Sequence, residues 1–104
     1  MAITNKQVPT TTASAAYTAT ADTAVTVIYI CNNTDSDGVV DVYVVPSGQT
    51  VGGNFKIYAD LTIKAKDTYI IDTEKMILGN GDKIYIVSSD SSGHMIATIS
   101  TIGL

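Results

Sequence analysis

The stretch Leu78-Gly-Asn-Gly-Asp-Lys-Ile-Tyr-Ile-Val-Ser-Ser89 decides how this chain is to be read. Gly79-Asn80-Gly81-Asp82 is either a loop that cradles a ligand or a bend that opens a strand. A phosphate-binding P-loop closes on Gly-Lys-Ser/Thr and runs into a helix, and a dinucleotide loop carries three glycines and also opens a helix. Here Asp82 and Lys83 begin a stretch, Asp82 to Ser89, with Ile84 and Ile86 on one side and Tyr85 and Val87 on the other. A period of two is a strand. The loop is therefore expected to be a turn. Gly79 and Gly81 accept positive φ, Asn80 tolerates it, and the Asp82 side chain can bond back to nearby backbone.

The same alternation extends outward in both directions. His94 to Ile102 sets Met95, Ala97 and Ile99 against Ile96, Thr98, Ser100 and Ile102. Upstream, Lys75 to Leu78 and Thr68 to Asp72 are short strands, joined to Phe55–Ile63 by the turn Lys64-Ala-Lys-Asp67. Phe55–Ile63 is expected to break near Ala59-Asp60. Val39 to Val45 puts Val40, Val42 and Val44 on one face, and Pro46 ends it because proline cannot donate to the ladder. Asn32 to Gly38 is a dense turn signal. Thr23 to Asn32 places Val25, Val27, Tyr29 and Cys31 opposite Thr26, Ile28 and Ile30, so it reads as a strand covered on both faces. Ala13 to Thr20 is a weak first strand. Residues 1–12, polar, Thr-rich and carrying Pro9, read as an extended N-terminal arm, free or lying on a neighbouring subunit.

Seven or eight short strands with frequent turns predict an all-β fold, an antiparallel β-sandwich in an Ig-like or jelly-roll layout. Residues 13–104 form one domain, which suits a chain of 104 residues. Composition agrees. Ile, Val and Thr number 13, 10 and 15, and these β-branched side chains suit a pleated, half-buried surface. Charged residues are only 15%, against roughly 25% in ordinary soluble domains, so part of the surface is expected to meet partners. Arginine is absent and the net charge is −4, which argues against binding nucleic acid. No run approaches the ~18 apolar residues of a membrane helix. The first residues lack the apolar core of a secretion signal, so synthesis in the cytoplasm is expected.

Candidate chemistry fails on pattern. Cys31 and His94 are singletons, too few for zinc, and far apart in sequence for a nucleophile and its base. Asp35 and Asp37 have the spacing of a calcium loop, but counting from Asp35 the sixth position is Val40 and the twelfth is Pro46, where glycine and glutamate are required. Asp67, Asp72, Glu74 and Asp82 could gather at one end of a sandwich, but solvated turn carboxylates are the better explanation. Asn32-Asn33-Thr34 matches the glycosylation triplet, which carries little weight without a secretion signal. No catalytic, cofactor-binding or metal residues are therefore assigned, and the chain reads as no enzyme. Six tyrosines (Tyr17, Tyr29, Tyr43, Tyr58, Tyr69 and Tyr85) could offer a platform for sugar stacking, but rings that fill the core or an interface are the better reading.

The run from Ala59 to Leu104 resembles the C-terminal half of small virion structural proteins of tailed bacteriophages. The matching residues are the turn Ala65 to Asp67, Thr68 to Asp72, the step Ile77-Leu78, Gly81 to Ile84, Ser88-Ser89 and Ala97 to Ser100. Thr26 to Gly48 is similar to the partner segment of such proteins, and the resemblance spans about Thr23 to Leu104. It implies a non-enzymatic β-sandwich displayed on a virion. The major capsid protein or other virion subunits would be its partners, in a homo-oligomer such as a trimer or hexamer. Capsid decoration is the first expectation. A neck, tail or fibre-attachment protein is the second, and a carbohydrate-binding adhesion module is the alternative from another class.

Overall fold

The structure is a computed structural model that describes residues 2–72, 76–88 and 95–104. Among them lie nine strands: β1 (Ala2–Gln7), β2 (Tyr17–Thr18), β3 (Thr23–Asn32), β4 (Gly38–Val45), β5 (Lys56–Ile63), β6 (Thr68–Ile71), β7 (Met76–Leu78), β8 (Lys83–Ser88) and β9 (Met95–Gly103). They form two antiparallel sheets. One runs β1-β9-β3-β6, with β7 also paired to β3, and the other runs β2-β8-β4-β5. The chain is an all-β sandwich.

The order of the strands selects between the two expected layouts. β4 pairs with β5, β3 with β6 and β7, β2 with β8, and β1 with β9. The pairings are nested, so the chain is one long hairpin that has rolled up. Successive pairs fall alternately into the two sheets. That is the jelly roll, not the Ig arrangement. β6 and β7 share one strand position, side by side along β3.

Between the sheets lie Val25, Ile28 and Ile30 of β3, Val40 and Val42 of β4, Ile84 and Ile86 of β8, and Ala97 and Ile99 of β9. Burying each of the larger side chains contributes about 1.5–3 kcal/mol, and this term holds the sheets together. The alternation read from the sequence holds for β4, β8 and β9. It fails in β3. Val25 faces Thr101 on β9 but Val27 faces Ser100, so β3 has an extra residue at Thr26. This bulge reverses the parity. Val25 shares the core with Ile28 and Ile30, while Val27, Tyr29 and Cys31 turn outward. The Thr26 hydroxyl fixes the bulge by donating to the Ser100 carbonyl at 3.1 Å and meeting the Ser100 hydroxyl at 3.0 Å.

β5 breaks where expected. Its register against β4 slips between Leu61 and Tyr58, and Asp60 there has φ of 54°. Aspartate tolerates this left-handed conformation better than most residues. The Asp60 N–H is held by the Asp41 carboxylate at 2.8 Å.

Of the expected arm, Ala2–Gln7 is extended but is neither free nor on a neighbour. β1 is an edge strand of the chain's own sheet, in register with β9 from Ala2 opposite Thr101 to Gln7 opposite Ile96. Val8 follows into the core, its N–H donating to Met95 O at 2.9 Å, and Pro9 O accepts from Ser88 N at 2.9 Å. The open edge of β9 needs backbone partners, and this polar segment supplies them in cis. The expected strand over Ala13–Thr20 shrinks to Tyr17–Thr18, flanked by ladder-like bonds from Ala16 N to Ile84 O and Ala19 N to Asp82 O.

Candidate functional site

The Gly79–Asp82 turn is closed on itself. The Asp82 carboxylate accepts Gly79 N–H at 2.8 Å and, through its other oxygen, Ser47 N–H at 2.8 Å. Gly81 N–H donates to Ala19 O at 2.7 Å and Asp82 N–H to Gly79 O at 3.0 Å. Three amides that a phosphate loop would aim outward are committed within the chain. The bonds from Gly79 and then Ser47 favour the charged carboxylate and hold the Asp82 pKa below its ordinary value, against a smaller opposing effect of desolvation. Gly81 has φ of 91°, and a Cβ there would overlap the Ser47 hydroxyl. The sequence requires glycine at this position for the turn itself.

Two other turn carboxylates act in the same way. Asp37 accepts Ala65 N–H at 3.0 Å, and Asp67 accepts Thr68 N–H at 2.8 Å. Asp35 forms an exposed pair with Lys66 at 3.6 Å, worth little in water. Asp67 and Asp82 do not meet. The Asp67 carbonyl accepts Asn32 N–H at one end of β3, while Asp82 lies beside Gly79 at the other, where β7 pairs with Thr23. A ten-residue strand separates them, about 30 Å at the usual rise. Asp72 is exposed just past β6, and Glu74 and His94 lie outside the described residues. Among the described residues no three His, Cys, Asp or Glu side chains gather as a metal site. No helix among them is long and apolar enough to cross a membrane.

Asn32 is the residue that sequence reasoning undervalued. It is fully buried. Its amide nitrogen donates to Ser36 O and Ile63 O, both at 2.9 Å, and its oxygen accepts Thr34 N–H at 3.0 Å and the Thr34 hydroxyl at 2.7 Å. Asn32 thereby shapes its own turn and ties β3 to β5 of the opposite sheet. In the folded chain both amide hydrogens are engaged, so the glycosylation triplet is a structural motif.

The tyrosines divide into separate groups. Tyr58 and Tyr69 meet edge to face across one side of the sandwich, with ring centroids 6.4 Å apart. Tyr43 and Tyr85 stand opposite one another on the outer face of β4 and β8. Tyr17 packs against the core, and Tyr29 lies on the outer face of the other sheet. They form no single stacking platform.

The two outer faces differ in charge. On the β2-β8-β4-β5 sheet, Lys56 lies 3.4 Å from Asp41 and 5.5 Å from the centre of the Tyr43 ring. Partial desolvation works against its charge, but Asp41, Tyr43 and Asp60 outweigh that and keep its pKa above the ordinary lysine value. On the β1-β9-β3-β6 sheet, the paired outward positions run in four rows. The first is Gln7, Ile96, Cys31 and Thr68. Asn5, Thr98, Tyr29 and Ile70 follow, with the Thr98 hydroxyl donating to Asn5 at 2.7 Å. The third row is Ile3, Ser100 and Val27, and the fourth is Ile102, Ala24 and Ile77. None of these paired positions carries a charge. Asp72, one residue beyond β6, marks the margin. Ile3, Ile70 and Ile77 are 66%, 50% and 65% exposed, far more than large aliphatic side chains usually are. The bulge at Thr26 assembles this face, which is why alternation alone did not place it. Compared with protein-family models, curated proteins and solved structures, the chain matches none.

Proposed function

We propose that this chain is a non-enzymatic structural protein of a tailed-bacteriophage virion, and that capsid decoration is its role. It binds the major capsid lattice and stabilises the head. The observation that carries the assembly part of this reading is the uncharged outer face of the β1-β9-β3-β6 sheet. Large apolar side chains left exposed together on one sheet face are the usual mark of a surface made to be covered, and here Ile3, Ile70, Ile77, Ile96 and Ile102 share the face with the neutral Asn5, Thr98 and Ser100. The carboxylates of Asp37, Asp41, Asp67 and Asp82 are fastened to backbone amides. The virion context is supported by the resemblance of Thr23 to Leu104 to small phage structural proteins. A jelly roll is compatible with it and with other roles, so fold alone decides nothing.

Quantitative mass spectrometry of purified particles tests the reading. A copy number that matches the head lattice supports decoration. One that matches a single ring moves the protein to the neck, tail or fibre attachment. Absence from particles overturns the virion reading.

A further inference from the structure

We infer that the outer face of the β1-β9-β3-β6 sheet pairs with the same face of a second copy of this chain, as a two-fold dimer. This rests on reading that face as an assembly interface, and it names the occupant. Charge is the first reason. Each copy has a net charge of −4, so copies repel wherever their charges meet. The paired positions of this face hold none, whereas Asp41, Lys56 and Lys83 belong to strands of the opposite sheet. A partner recognised by opposite charge would find nothing to recognise here, but an identical copy can approach without penalty.

Size is the second. Four strands at ~4.8 Å spacing and nine residues of β9 at ~3.3 Å rise give a face of roughly 19 by 30 Å. Its plan area, about 570 Å², is of the order that one partner contributes to a standard interface, about 800 Å² of accessible surface. Corrugation by Tyr29 and the isoleucines brings the two figures closer.

Symmetry is the third. An isologous interface needs a patch that complements itself. Along the strands, one end of the face carries Ile96 and Cys31 and the other carries Ile102 and Ile77, with Thr98 and Ser100 between. A two-fold axis across the strands at mid-length stacks apolar end on apolar end and hydroxyls on hydroxyls. The stacking repeats between chains the sheet-on-sheet packing, ~10 Å apart, that already forms the core.

Sedimentation equilibrium of the full chain over a wide concentration range tests this. The wild type is expected to be a reversible dimer. Ile70→Lys and Ile77→Lys lie on exposed edge strands and keep their fold, as circular dichroism will show. Each puts two unpaired charges into a symmetric interface, so the dimer should weaken on the order of a hundredfold or more. Ile57→Lys, on β5 of the other sheet, should leave it unchanged. Cys31 gives a second readout that needs no variant: its thiol should react slowly in the dimer and faster on dilution. A wild type that stays monomeric, or a dimer indifferent to both lysines, overturns the inference. If the monomeric chain still loses particle binding through Ile70→Lys, the occupant is another virion subunit and only the second-copy assignment fails. If the dimer forms through this face and particles lack the protein, the virion reading fails and this inference stands.

Discussion

The two outer faces of the sandwich draw on the same residue types and end in opposite conditions. On the β2-β8-β4-β5 side, Tyr43 has Tyr85 beside it and Lys56 over its ring, and Asp41 receives both Lys56 and the Asp60 amide. The polar and aromatic groups of that face complete one another within the chain. On the β1-β9-β3-β6 side, Tyr29 lies between Thr98 and Ile70, and no charged side chain stands at the paired positions to cover the apolar area. The contrast shows how a small jelly roll separates two needs. One face satisfies its polar and aromatic groups within the chain, and the other leaves its isoleucines exposed.

The strongest way to break this contrast is to insert one alanine between Ile28 and Tyr29. If β3 keeps its pairing with β9, Tyr29 and Cys31 would then turn inward and Ile30 outward. A one-residue slip of this kind moves a whole apolar set to the wrong face. The insertion should abolish cooperative folding, read from soluble yield and amide chemical-shift dispersion. An insertion variant with wild-type stability would show that the parity of β3 does not assign the faces.

Next in size is Asn32→Asp, which turns the buried donor toward the Ser36 and Ile63 carbonyls into a carboxylate. The loss should be roughly 3 kcal/mol in urea unfolding, because a buried polar group loses its partners. Both faces rest on this joint between sheets, so the effect should not depend on which face is probed.

Tyr43→Lys and Ile70→Lys then compare the faces directly. At Tyr43 the new cation meets Lys56 and loses the ring contact, at a cost of about 1–2 kcal/mol. At Ile70 the side chain is half exposed, and the folded monomer should change by less than ~0.5 kcal/mol. Equal costs in denaturant unfolding would erase the distinction.

The smallest effect concerns pH. The folded Asp82 pKa is depressed, so its contribution is complete above the unfolded-state value of about 3.9. It is lost as pH falls through the lower folded value. Asp82→Asn should flatten the acid side of the melting-temperature profile and lower stability more at neutral pH than in strong acid. A variant profile parallel to that of the wild type would remove Asp82 from the turn's energetics.

Local chemistry determined a good deal by itself. Alternation identified the strands and the inward sides of β4, β8 and β9, because each side chain's facing follows from its neighbours in sequence. Pro46, the break at Asp60 and the Gly79–Asp82 turn were legible for the same reason: proline, positive φ and Asx bonding act over a few residues. The absence of a ligand-loop context after Gly81 was equally local. Other features depend on partners far along the chain. β1 is a strand because β9 offers it an open edge, not because Ala2–Gln7 has strong strand character. Asn32 is a joint because Ile63 brings its carbonyl from the other sheet. The jelly-roll order exists only once the hairpin has rolled. The uncharged face, finally, exists because pairing with β9 forces an extra residue into β3 at Thr26, and a bulge is a property of two strands together.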